Sequence, residues 1–188
     1  LVGSLLASSR LDFGTTDSRE VDPVAIARDA LVRSGLPARL LSAEERLPTV
    51  MADPTLIARA LANLVDNARV HAGGVTRGVA GRENGSEIRF AVEDAGPGLG
   101  ADAEQLFQAF HRRPGTHGAL GLGLAIVARI AEAHGGRAFA RNRPEGGAEI
   151  GFTIAAGRGS SAAAPVSSAS WCVVKRRWTS CPRVARPS

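Results

Sequence analysis

Leucines at positions 1, 5, 6 and 11 recur at helical spacing in LVGSLLASSRLDFG, which then turns around Gly14 and Thr15. This reads as the last turns of a helix that begins upstream. In VDPVAIARDALVRSG, Asp22 can cap a helix, Pro23 suits its first turn and Gly35 can end it. A strand is expected over ARLLSA (38–43) and another in LPTVMAD (47–53). Asp53 and Pro54 then repeat the capping pattern ahead of a helix over 54–72, with Ile57, Leu61, Leu64 and Ala68 as its apolar stripe.

Residues 75–80 and 86–94 predict neighbouring strands joined through ENGS, because Asn84-Gly85 favours a hairpin turn. Side chains alternate along a strand, so Ile88, Phe90, Val92 and Asp94 share one face and a carboxylate arrives at the end of an apolar row. Helices are expected near 102–110 and over 122–134, followed by strands in RAFARN and AEIGFTI. Helices combined with late, hairpin-connected strands imply a two-layer α/β sandwich built on a mixed sheet.

Composition changes this picture at one place. The net charge of +5 invites a nucleic-acid or membrane partner, but six of the 23 basic residues follow Ile154 (Arg158, Lys175, Arg176, Arg177, Arg183, Arg186) while all 18 acidic residues precede it. Seventeen basic against 18 acidic residues leave a net charge of −1 for residues 1–154, so the basicity belongs to the tail and no nucleic-acid partner is expected. Both cysteines (Cys172, Cys181) and both tryptophans (Trp171, Trp178) also lie there, so no disulfide framework supports the folded part. No apolar run approaches the roughly 20 residues that span a bilayer, and Leu1–Ala7 is too short for a complete signal peptide. The expected organisation is the end of an upstream helix and linker over 1–16, a folded domain over 17–155 and a disordered basic tail over 156–188. KRRW in the tail pairs charge with an aromatic, as nucleic-acid or lipid contacts do. The favoured reading is an incidental extension, such as translation in an altered frame. Deleting residues 158–188 is then expected to leave the melting temperature and ligand affinity nearly unchanged, and a marked fall in either, by thermal unfolding or titration calorimetry, would show that the tail packs on the domain.

Three stretches carry candidate chemistry. Asn63 and Asn67 lie one turn apart at the edge of the apolar stripe, where an amide needs hydrogen-bond partners or a ligand. They either tie down a neighbouring loop or bind; an amide oxygen suits magnesium and an amide nitrogen can donate to phosphate. In DAGPG, Asp94 precedes Gly96 and Gly98: a tight turn, or a carboxylate awaiting a donor such as the exocyclic amine of a base. In GALGLGLAIVARIAEAHGG, Gly118, Gly121 and Gly123 stand where a helix begins, fitting either close packing or phosphate at a helix N-terminus; no Gly-Lys-Ser/Thr marks a Walker loop.

In order, NLVDNA, DAGPG, LFQAF and GLGLAI with EAHGG resemble the ATP-binding domain of bacterial sensor histidine kinases, of the Bergerat fold shared with gyrase and the ninety-kilodalton heat-shock chaperone. The resemblance covers about residues 10–155. It implies a mostly antiparallel mixed sheet covered by helices on one face, with ATP and Mg2+ as ligands. Asn67 would be the metal ligand, Asn63 a phosphate-side residue and Asp94 the adenine reader, with Gly96 and Gly98 shaping its pocket. Gly118, Gly121, Leu122, Gly123 and Leu124 would pass the phosphates, His71 would sit where an aromatic often covers the adenine, and residues 107–120, with Phe107 and Phe110, would form the lid.

Two departures qualify this, and one position chooses between classes of the fold. Val70 stands where that family usually has Lys or Arg. The adjacent Arg69 is turned by about 100° around the helix, so Arg112, Arg113 or His117 would have to supply the charge. Ala119 replaces the usual first glycine of the glycine run. Asn63 replaces the glutamate that ATP hydrolases of this fold use as a base, which favours transfer over hydrolysis. None of His71, His111, His117 and His134 has the setting of a phosphoacceptor, so the chain is expected to lack its substrate histidine and no residue is assigned as catalytic.

The resemblance further implies an acceptor hairpin of the same, homodimeric kinase and a response regulator as partners. It also implies a cytoplasmic domain whose intact protein is anchored in the bacterial plasma membrane through upstream segments only. A nucleotide-binding or scaffold module that has lost transfer is the alternative. A serine kinase of the anti-sigma type is a third reading, disfavoured by the hairpin-like remnant at residues 1–14.

Overall fold

A computed structural model describes residues 17–100, 106–108 and 121–157. Strand β1 (Arg19–Val21) leads into helix α1 (Pro23–Arg33), whose N-cap Asp22 accepts a hydrogen bond from the Val24 N–H at 2.8 Å. After a 3-10 turn at Ala38–Leu40 come β2 (Leu41–Ala43), β3 (Val50–Ala52) and helix α2 (Pro54–Ala72). The Asp53 carboxylate caps α2, accepting from the N–H groups of Thr55 and Leu56, and Gly73 ends it at φ 73°. Strands β4 (Arg77–Glu83) and β5 (Glu87–Glu93) form the hairpin, turning at Asn84 and Gly85 with φ of 51° and 76°. Helix α3 (Gly123–Ala133) and strands β6 (Ala138–Asn142) and β7 (Ala148–Ala155) complete the fold.

The main sheet has the order β2-β4-β5-β7-β6. Only β2 and β4 run parallel; the other neighbours are antiparallel. Register fixes the faces. Ile88, Phe90 and Val92 stand opposite Ile154, Phe152 and Ile150, all buried, and Phe90 stacks on Phe152 with ring centres 5.3 Å apart. Onto this face pack α1, α2 and α3, with Leu31 of α1 pressed against Gly78. The fold is the expected two-layer α/β sandwich with helices on one face.

His134, just past α3, ties two helices together. Its Nε2 accepts from the Asp53 N–H at 3.1 Å, and its Nδ1 lies 2.8 Å from the Ile130 carbonyl. A carbonyl only accepts and an N–H only donates, so these partners select the neutral Nδ1–H tautomer. The C-terminal end of α3 is thereby fixed to the start of α2.

The opposite face of the sheet carries a charged cluster. Glu93 and Glu149 are cross-strand partners and both are buried. Like charges at that spacing repel, and four arginines offset the repulsion. Glu93 accepts from Arg77 at 2.7 and 3.0 Å and pairs with Arg143 at 3.2 Å, while Glu149 accepts from Arg89 and Arg141, each at 2.7 Å. The hydrogen bond that Arg77 donates to Glu93 raises the pKa of Arg77, and the one that Arg141 donates to Glu149 raises that of Arg141.

Several expectations are corrected. Strand β1, which pairs antiparallel with β3 in a separate two-stranded sheet, had no pattern of its own in REV. Residues 38–40 are a 3-10 turn, so β2 is half the expected length. The strand expected at 75–80 begins at Arg77 and runs on to Glu83. Of the helix expected near 102–110, residues 106–108 form turn and bend, with Leu106 buried in the core; the rest lies outside the described residues. Among the described residues no helix is long and apolar enough to cross a membrane.

Candidate functional site

Helix α2 presents Asn63 and Asn67 on one side, one turn apart, both partly exposed. Asn63 faces the first residue of α3: a side-chain carbon on Gly123 would lie 3.6 Å from Asn63 Oδ1. The Nδ2 of Asn63 is buried and has no hydrogen-bond partner among the described residues. A buried donor left unpaired costs about 1–3 kcal/mol, so this amide is suited to an acceptor that the described residues do not supply.

That acceptor would meet a second set of donors. Helix α3 starts without a side-chain cap, after Gly121 at φ 68° and Leu122. Its first backbone N–H groups carry the positive end of the helix dipole and suit an anion. Leu124 adds its backbone there while its side chain is buried in the core.

At the other end of α2 the DAGPG loop closes against the helix. A carbon on Gly96 would come within 2.6 Å of the Ala72 Cβ, so only glycine permits this approach. Asp94 is buried, and its Oδ1 accepts from the backbone N–H groups of Gly96 (2.9 Å) and Ala148 (3.1 Å). The expectation that its charge would wait for an external donor is thus corrected for Oδ1, which the backbone of the protein itself satisfies. His71 stands half-buried in the last turn of α2. Gly98, at φ 83°, sits against Asn142.

The structure therefore brings Asn63 to Gly123 and Gly96 to the end of α2, with Asn67 between the two. Gly118, Ala119, Phe110, Arg112, Arg113 and His117 lie outside the described residues. Val70 is 57 % exposed. Arg69 does not replace its missing charge: the guanidinium donates to the Ser34 carbonyl at the end of α1 and pairs with Asp66 at 3.6 Å. Asn142, Arg143 and the Ala148 N–H, which hold the DAGPG loop, escaped sequence reasoning because nothing near them in the chain marks a contact more than 40 residues away.

An uncapped helix N-terminus and an unpaired buried amide at one stretch of α2, and a buried carboxylate in the loop packed on its end, are the donors and the acceptor that a nucleotide would need of an α/β sandwich. The model of the histidine kinase-, DNA gyrase B- and HSP90-like ATPases matches residues 52–158, more than half of the chain, and the chain belongs to that family. It is 34% identical over 163 residues to the sensor protein KdpD of Escherichia coli (strain K12), covering 82% of this chain and 18% of the relative. It is 36% identical over 158 residues to the signal transduction histidine-protein kinase AfsQ2 of Streptomyces coelicolor, covering 79% and 29%. Among solved structures it resembles full-length ShkA in complex with AMPPNP, with a TM-score of 0.61 and 29% identity over 75% of this chain and 31% of that one. The chain thus spans less than a third of each of these curated relatives.

Proposed function

We propose that this chain is the ATP-binding part of a sensor histidine kinase, presenting the γ-phosphoryl group of Mg-ATP to a histidine on an acceptor hairpin. The observation that carries it is Asn63 beside the uncapped start of α3, with its Oδ1 towards Gly123 and its buried Nδ2 without a partner among the described residues. Asp94 Oδ2 would accept from the exocyclic amine of adenine, with Gly96, Gly98 and His71 around the base. The N–H groups from Gly121 to Leu124 would hold the phosphates, with Gly118 beside them. Asn67 would give a hard amide oxygen to magnesium, and this fits an ion that keeps most of its waters and arrives with phosphate, because no cluster of three His, Cys, Asp or Glu exists among the described residues. The ion would neutralise phosphate charge. An amide at position 63 cannot take a proton from water, which favours holding ATP for transfer over hydrolysing it. In the intact protein the domain, residues 17–155, would work as a cytoplasmic unit of a membrane-anchored homodimer that passes phosphate to a response regulator.

Transfer is tested by supplying the acceptor hairpin of a similar kinase in trans with γ-labelled ATP: label on its histidine is the expected result. Binding of ATP without label would favour the second reading, a nucleotide-binding module that has lost transfer, for which the exposed Val70 and the diverted Arg69 speak. Asn67→Ala is expected to lower ATP affinity several-fold in magnesium and hardly at all in chelator, as read by titration calorimetry. Equal losses in both would remove Asn67 from the metal.

A further inference from the structure

The DAGPG loop has little structure of its own. Between Asp94 and Leu99 the side chain of Asp94 bonds the Gly96 N–H, and both ends of the loop are otherwise held by the turn that joins β6 to β7. At the far end Asn142 Oδ1 accepts from the Leu99 N–H at 2.6 Å, and its Nδ2 donates to the Leu99 carbonyl at 3.4 Å. At the near end Arg143 Nη1 donates to the Asp94 carbonyl at 3.1 Å while its Nε pairs with Glu93. The turn fits closely, since a carbon on Gly147 would lie 2.1 Å from the Asp94 carbonyl oxygen. The backbone of Ala148 then exchanges hydrogen bonds with Asp94, donating to its carboxylate and accepting from its N–H.

Two consecutive side chains of one hairpin therefore set both ends of a loop on another. We propose that Asn142 and Arg143 are positioning residues for base selectivity: they fix the direction in which the Asp94 carboxylate meets the base. Glu93 orients Arg143 in turn, and Arg77 keeps Glu93 paired, so the charged sheet face extends its order to the loop. This proposal rests on Asp94 reading adenine.

The test measures ATP and GTP affinities and the melting temperature of the full chain for the parent and for Asn142→Ala, Asn142→Asp, Arg143→Met and Arg143→Lys, with Asp94→Asn and Asn67→Ala as references. Loss of one ordering hydrogen bond is expected to cut the preference for ATP over GTP by roughly threefold to tenfold in Asn142→Ala and Arg143→Met. Asn142→Asp keeps the acceptor for the Leu99 N–H and is expected to retain most of the preference. Arg143→Lys keeps the charge beside Glu93 but loses the second branch to Asp94, and is expected to behave like Arg143→Met. Asn67→Ala is expected to weaken both nucleotides alike. A lowered melting temperature with an unchanged ATP-to-GTP ratio in Asn142→Ala and Arg143→Met would overturn the proposal and leave the turn as a brace. If the parent does not bind ATP, or Asp94→Asn keeps full selectivity, the nucleotide reading itself fails and this proposal with it; selectivity lost in Asp94→Asn but kept in the turn variants removes only the proposal.

Discussion

Replacing Asp94 with asparagine is expected to lower ATP affinity by roughly 10- to 100-fold while leaving the fold in place. Both backbone donors on Asp94, from Gly96 and Ala148, meet Oδ1, which an asparagine retains. The change falls on Oδ2, where an acceptor becomes an NH2 donor. Set against the exocyclic amine of adenine, the new donor both removes a charge-assisted hydrogen bond, worth about 1.5–3 kcal/mol, and opposes like to like. GTP, which presents a carbonyl oxygen at that place, is expected to lose less. Calorimetric titration with both nucleotides and a thermal melt decide the matter. Unchanged ATP binding with a lowered melting temperature would reduce Asp94 to a turn former.

The sequence was most legible where one local signal suffices. Asp22-Pro23 and Asp53-Pro54 start α1 and α2, Gly35 follows the end of α1, and Asn84-Gly85 turns the hairpin, because each acts within a few residues of itself. The apolar stripe of α2 was legible for the same reason, since Ile57, Leu61, Leu64 and Ala68 are all buried. Strand β1 was not, because three residues carry no period and its only reason to be extended is pairing with β3. The burial of Glu93 and Glu149 was not legible either, because it depends on arginines from β4, β5, β6 and the β6–β7 turn. In the site, Asn63 could be assigned to an edge, but its meeting with Gly123 is a matter of how α3 packs on α2. His134 was read only as a histidine without a phosphoacceptor setting, and its bonds to Asp53 and Ile130 give it a structural task that no spacing announces.

Selectivity and stability converge on one strand. Strand β5 ends at Glu93 and leads directly into Asp94, so its apolar face is anchored in the core while its end holds the charged network and sets out the candidate base reader. A shift of β5 along β7 by one residue would exchange the two faces and bury Arg89 among the helices. The paired rings of Phe90 and Phe152 oppose such a shift, as they meet in a single register.

Phe90→Ala is accordingly expected to carry the largest stability loss of any single truncation here, about 3–5 kcal/mol. Phe90 is completely buried, as is Phe152, and the two stack at 5.3 Å beneath the helices. Truncation removes the transfer energy of a ring, leaves a cavity between two layers that the surrounding strands hold apart, and strips Phe152 of its stacking partner. Phe90→Leu keeps most of the volume and loses mainly the ring contact, so it is expected to cost less than half as much. Urea unfolding followed by circular dichroism measures both, and ATP titration on the folded fraction adds a functional reading. Because β5 leads directly into Asp94, the alanine variant is also expected to bind ATP more weakly at temperatures where it remains folded. If Phe90→Ala unfolds at the parent's urea midpoint, the core does not depend on this ring pair, and the assignment of the helix-facing side of the sheet is wrong.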